Sequence, residues 1–149
     1  MRESSFSGLN CSIARALGVL GDGWSFLILR DALSGVHTFE GFKRGLGIAR
    51  NTLTDRLRHL VEQDLLAQMD VGKRGTRFEY IPTQKAKELQ ASLMAIMQWG
   101  DRWVSGRGNE PVIAFDRVSG STIEPLAVRS KAGRAVSADE LMYRPGRGA

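Results

Sequence analysis

The chain has 149 residues, 42% of them apolar and 25% charged, with a formal net charge of +5, the proportions of one ordinary soluble domain with a small appendage. No segment approaches the roughly 20 continuous apolar residues of a membrane span, and the polar start Met-Arg-Glu-Ser-Ser-Phe-Ser-Gly lacks the apolar stretch of a secretory signal, so a cytoplasmic protein is expected. One cysteine, Cys11, excludes an internal disulfide framework, and His37 and His59 have no Cys or carboxylate companions at ligand spacing, so neither a metal nor a cofactor is expected. The basic excess is spread thinly, and any argument from charge must rest on local clusters.

Ile13, Ala14, Leu17, Val19 and Leu20 recur at helical spacing, with Asn10 or Ser12 as cap and Gly21 and Gly23 as stops. Trp24–Leu33 reads as a second helix, apolar on most sides and therefore central to the core. Thr38 is placed to cap a short helix through Phe39, Phe42 and Leu46, with Gly45 and Gly47 breaking it. The next helix, Ala49–Gln63, sets Leu53, Leu57, Leu60 and Val61 on one face and leaves Arg50, Asn51, Thr52, Thr54, Asp55 and Arg58 on the remaining arc. Asp64 follows where a residue of positive φ is needed.

Two strands, Leu65–Val71 and Thr76–Ile81, flank the turn Gly72-Lys-Arg-Gly75. Pro82-Thr83 opens a long helix from Gln84 to about Gly100, striped by Leu89, Leu93, Ile96 and Met97. After Ser105 comes the linker-like Gly106-Arg-Gly-Asn-Glu-Pro111, then a β-branched, glycine-punctuated stretch over 112–144 that reads as a small β hairpin unit, and a loose Arg-Pro-Gly-Arg-Gly-Ala tail.

Helix, helix, short helix, polar-faced helix and basic-tipped hairpin, in that order, form a winged helix-turn-helix. A helix that reads the major groove needs short polar and guanidinium groups on one face and leucines anchoring the other: Asn pairs with adenine, Arg with guanine, and a Thr methyl meets that of thymine. A hairpin with Lys73, Arg74 and Arg77 and no acid between 71 and 78 can reach the minor groove or the phosphates. An Arg-rich helix or a basic turn alone is more often a solvated surface; their conjunction at short spacing favours double-stranded DNA as the partner.

Cys11-Ser-Ile-Ala-Arg-Ala-Leu17, Gly21-Asp-Gly-Trp24-Ser-Phe-Leu-Ile-Leu-Arg30, Thr38-Phe39, Leu53-Thr-Asp-Arg-Leu-Arg-His-Leu60 and Arg77-Phe-Glu-Tyr-Ile-Pro-Thr83 resemble, in fixed order, the HxlR-type winged-helix transcriptional regulators of bacteria. The resemblance covers about residues 8–104. It implies a mainly α fold with a small β component, residues 1–104 forming the DNA-binding and dimerisation body and 105–149 a β-rich extension. It also implies a non-enzymatic homodimer, built from the first and the long C-terminal helix, with one winged helix on each half of a pseudo-palindromic operator. Repression follows if binding blocks polymerase. DNA contacts carry over to Thr38, Arg50, Asn51, Thr52, Thr54 and Arg58 and to the wing residues Lys73, Arg74 and Arg77. Arg56, in the Leu-Thr-x-Arg-Leu run, is an internal or backbone anchor.

The departures are specific. Gly41 stands within Glu40-Gly41-Phe42, where the family has a Glu-Leu pair, so the scaffold helix is free to pack differently. Gly23 replaces a basic residue, Asp64 a glycine, and the wing proline pattern is shifted. Some relatives carry Cys-Gly and Cys-x-x-Cys-Gly knuckles resembling a zinc ribbon, where this chain reads Val118-Ser-Gly120 and Arg129-Ser-Lys-Ala-Gly133. Without thiolates the extension is expected to be metal-free and folded by packing alone.

Cys11 starts a helix whose amides and dipole can lower a thiol pKa, and some relatives sense oxidants or electrophiles at this place; the alternative is a small residue at a dimer seam. His59 is expected on the exposed side of its helix. Trp24, Trp99 and Trp103 read as core or dimer interface, with an apolar space among them, bordered by Met94, Met97 and Phe26, for a small-molecule effector. No phosphate loop, nucleophile elbow or His/Asp pairing suggests an enzyme. The alternative function is a winged helix kept as a protein-interaction or dimerisation module.

Overall fold

The computed structural model describes residue 6 and residues 8–148; most of the start on which the absence of a signal was argued, and the last tail residue Ala149, lie outside the described residues. The chain divides into two compact units, Met1–Gln90 and Ala91–Ala149.

The first unit runs α1 (Ser12–Leu20), α2 (Gly23–Leu33), α3 (Phe39–Leu46), α4 (Arg50–Glu62), β1 (Leu66–Asp70), β2 (Phe78–Pro82) and α5 (Gln84–Lys87). Ile28, Leu29 and Ala32 of α2, Phe42 of α3, Leu53, Leu57 and Leu60 of α4, Leu65, Leu66 and Ala86 enclose one core. Each fully buried large side chain contributes about 1.5–3 kcal/mol of transfer free energy. The predicted helices are present with shifted ends. Cys11, not Asn10 or Ser12, is the N-cap residue of α1 and makes no side-chain cap bond, while Asn10 Oδ1 accepts from Arg15 at 2.7 Å. Gly23 opens α2 and Gly45 lies inside α3, so of the expected glycine breaks only Gly21 and Gly47 terminate helices.

Asp22 and Thr38 cap α2 and α3 by accepting from Ser25 N and Gly41 N, each at 3.1 Å. Gly41 has no room for a side chain: a Cβ there would lie 2.8 Å from Thr38 Oγ1 and 3.0 Å from Val36 Cγ1. A larger residue at this position would displace the capping hydroxyl of Thr38 or the Val36 side chain. Asp64 turns the chain out of α4 with φ 55°, as its position predicted.

The strands pair antiparallel with Gln68 opposite Tyr80 and Asp70 opposite Phe78. A third segment, unforeseen from sequence, joins them: Tyr80 N donates to His37 O at 2.8 Å, beside a single bridge between Thr38 and Glu79. Phe42 meets Tyr80 edge-on, with ring centroids 6.5 Å apart. The α3 N-cap and the wing strand are thereby one assembly. The expected continuous helix from Gln84 is interrupted at Glu88 and Leu89, where Leu89 N bonds to Ala86 O in a tighter turn. Ala86 is buried and Leu89 packs against the same core, so core contact draws this turn inward.

In the second unit α6 (Gln90–Gly100) runs into a π-helical turn, Asp101–Ser105, followed by the extension. Phe115–Thr122 and Arg129–Ala135 are single bridges closing two tight turns, in which Asp116 accepts from Val118 N, Ser119 N and Ser119 Oγ, and Ser130 O from Gly133 N. No described residue of this unit is buried. Packing alone therefore does not hold the extension, contrary to expectation; its apolar residues alternate with Gly, Pro and Ser too often to form an inner face. Trp99 and Trp103 are 62% and 71% exposed, which excludes a core role, and Trp24 is also exposed.

Candidate nucleic-acid interface

Helix α4 is fixed from behind. Its buried leucines seat it in the core, and two polar ties fix its rotation. Arg56 Nε donates to Asp22 Oδ2 at 2.8 Å and Arg56 NH2 approaches the same oxygen at 2.7 Å, binding the middle of α4 to the start of α2. Partial burial pushes the Asp22 carboxyl up, but the bonds from Arg56 and from Ser25 N together outweigh it, and the group titrates below its ordinary 3.8. His59 Nε2 lies 2.9 Å from Val19 O; a carbonyl only accepts, so the ring nitrogen carries the proton. His59 is thus half-buried against α1 and not on the exposed side of α4, because Gly21, with no side chain, lets the ring approach.

The opposite arc presents Asn51, Thr54, Asp55 and Arg58, all exposed and spaced three and four residues apart. Asn51 makes no side-chain hydrogen bond among the described residues, so both its donor and its acceptor remain available. Thr54 Oγ1 donates to Arg50 O at 2.9 Å, so its hydroxyl proton is spent on the helix backbone. Arg58 pairs with Asp55 at 3.4 Å, a loose exposed contact that costs little to break. Arg50 is more constrained: NH2 donates to Glu40 Oε1 at 2.8 Å, and the guanidinium lies 4.9 Å from the centre of the Phe39 ring. Thr52 is half-buried and Thr38 is committed to capping α3. Of the nine residues proposed from sequence, these two have the least freedom to reach DNA.

The wing loop is organised by Asp70, whose Oδ1 accepts from Gly72 N at 2.9 Å and Arg77 N at 3.2 Å; those two bonds hold its carboxyl below the usual range. A Cβ at Gly72 would strike the Gly75 carbonyl, so the loop closes only around glycine. Lys73, Arg74 and Arg77 are exposed and pair with no acid among the described residues. Sequence reasoning passed over Glu40 as the partner of Arg50; an exposed acid ten residues away carries no periodic signal. Cys11 is exposed. The described residues contain no group of three or more His, Cys, Asp or Glu placed to hold a metal, and no single helix long and apolar enough to cross a membrane.

A family model for HxlR-like helix-turn-helix proteins matches residues 19–107. An uncharacterized HTH-type transcriptional regulator of Mycobacterium tuberculosis, Rv3095, is 34% identical over 137 residues, spanning 92% of this chain and 87% of its own. The crystal structure of PA1607, a candidate transcription factor, superimposes with a TM-score of 0.85 at 37% identity over 97% of this chain and 99% of its own. That of PA1374 from Pseudomonas aeruginosa gives 0.66 at 37% identity over 93% and 94%. These alignments are too long to end at residue 107, so they include the extension, whereas a Synechocystis relative, sll1512, aligns over 99 residues only. With the helix order, the capped scaffold helix and the hairpin in place, the chain belongs to the HxlR-like helix-turn-helix family of winged-helix transcriptional regulators.

Proposed function

We propose that the protein is a homodimeric regulator that binds a pseudo-palindromic site in double-stranded DNA and represses by occluding a promoter. The observation that carries this reading is the pairing of an Asn51 unspent among the described residues, beside Thr54 and Arg58 on an α4 locked by Arg56–Asp22, with a wing whose three cations have no acidic partner among those residues. Asn51 and Arg58 read base edges, Arg50 reads bases or phosphate once released from Glu40, and Lys73, Arg74 and Arg77 neutralise phosphates. Residues 1–104 form the DNA-binding and dimerisation body, with 105–149 appended. Dimerisation is supported by large apolar side chains left open on α1, such as Ile13, and on α6 and the turn after it, Ile96, Trp99 and Trp103. Two recognition helices then enter successive major grooves roughly 34 Å apart. Cys11 and a small-molecule site are the two candidate inputs; the first is tested by comparing DNA affinity of Cys11→Ser and wild type after oxidant treatment, where only the wild type should respond.

Selection of duplexes from random DNA, followed by titration of the winner at several salt concentrations, tests the reading. A symmetric motif bound with a steep salt dependence supports it, because phosphate neutralisation releases counterions. One observation favours the second reading, an interaction module: Phe115, Val118, Met142 and Tyr143 of the extension are open apolar groups suited to a protein partner. No enriched motif, with weak and salt-insensitive DNA binding, would select that alternative.

A further inference from the structure

The second unit has an open pocket of about 300 Å³ between α6 and the extension, at the small end of the range for ligand sites. Met94 and Met97 line it from α6, and Val112 and Ile123 from the extension. No tryptophan borders it, and Phe26 packs instead against the core of the first unit, so the space is not the one expected among the aromatic residues. Its wall is held by Gln98, whose Nε2 donates to Glu124 O at 2.9 Å and whose Oε1 accepts from Leu126 N at 2.8 Å. That amide therefore completes the wall, with one N–H and one carbonyl lone pair unspent in these two bonds.

The charged residues of the lining are Asp101 and Glu110, and no Lys, Arg or His joins them. Asp101 is half-buried and has no ion-pair or side-chain hydrogen-bond partner among the described residues. Glu110 Oε1 accepts from Gly108 N at 3.0 Å, which fixes its carboxylate and keeps it ionised. Two uncompensated negative charges beside an apolar wall disfavour an anionic guest and leave a neutral one without electrostatic gain. Methionine thioethers are polarizable and adapt to irregular apolar shapes.

We propose that this pocket binds a small organic cation, an alkylammonium group on an apolar body, with the cationic end toward Asp101 and Glu110 and the body against Met94, Met97, Val112 and Ile123. The site lies wholly within residues 91–149 and does not depend on the DNA-binding reading; its test uses no DNA, so each can fail alone. The full-length protein carrying ¹³C-methyl methionine is titrated with benzyltrimethylammonium, with phenylacetate, and with neutral benzyl alcohol. The cation should shift the Met94 and Met97 methyl signals saturably and leave Met69 in place, while phenylacetate moves neither. Asp101→Asn combined with Glu110→Gln should weaken the cation by about tenfold and leave benzyl alcohol unaffected. Asp101→Asn alone should weaken it in the same direction and serves if the double variant does not fold. Equal response to cation and anion, undiminished affinity in the variants, or unmoved Met94 and Met97 signals would overturn the proposal.

Discussion

Residues up to Gln90 and those beyond are built on different principles. The first unit is organised by burial: eight large apolar side chains and Ser25 are fully enclosed, and its polar ties, Asp22–Arg56 and Thr38–Gly41, fix elements that the core has already brought together. The second has no buried residue among those described, and its turns are held by local bonds to Asp116 and by the Gln98 amide. A packed core resists change at any of its members, whereas a locally bonded segment fails one turn at a time. The surface proposed to read DNA belongs to the core-packed unit, where α4 is seated by its buried leucines. The proposed ligand site belongs to the unit whose turns are held by local bonds.

The sharpest way to break this contrast is to truncate one apolar side chain in each unit. Leu57→Ala should lower unfolding stability by about 3 kcal/mol in urea denaturation, because a cavity opens among close-packed neighbours. Phe115→Ala should cost far less under the same conditions; an equal loss would mean that the extension has a core of its own. Asp22→Ala comes next, at about 2 kcal/mol, since it removes a helix cap and leaves Arg56 without its partner. The pH dependence has a definite sign: the folded carboxyl titrates below its ordinary 3.8, so its contribution is present above that value and lost as pH falls through the folded value. The Asp22→Ala variant should accordingly lose less stability than the wild type between neutral pH and pH 3.

Smaller still is the effect of Asp116→Ala. Amide exchange at Val118 and Ser119 should accelerate while the global unfolding transition stays in place, and a shifted global transition would contradict the local account. Gly72→Ala acts within the wing: its Cβ meets the Gly75 carbonyl, so the loop must open and DNA affinity should fall, with little change in stability.

What the sequence made legible follows from periodicity and special backbone. The leucine spacing located the core face of α4, Thr38 announced the start of α3, and Asp64 the reversal after α4. Contacts between residues distant in sequence were not legible: the Arg50–Glu40 pair, the approach of His59 to Val19 and the bridge from Thr38 to β2 depend on how elements pack, and no local pattern encodes that. The extension misled for a related reason. Its β-branched residues suggested packed strands, yet Gly, Pro and Ser interrupt them before a common face can form.

Division of labour between α4 and the wing is the central claim, and one comparison tests it. Binding of Asn51→Ala and Lys73→Ala is measured against the selected duplex and random DNA over a salt series. Asn51→Ala should lose about 1–3 kcal/mol on the selected duplex and almost nothing on random DNA, whereas Lys73→Ala should weaken both alike and reduce the salt slope by about one unit. Equal losses for Asn51→Ala on both duplexes, or a sequence-dependent loss for Lys73→Ala, would contradict the account.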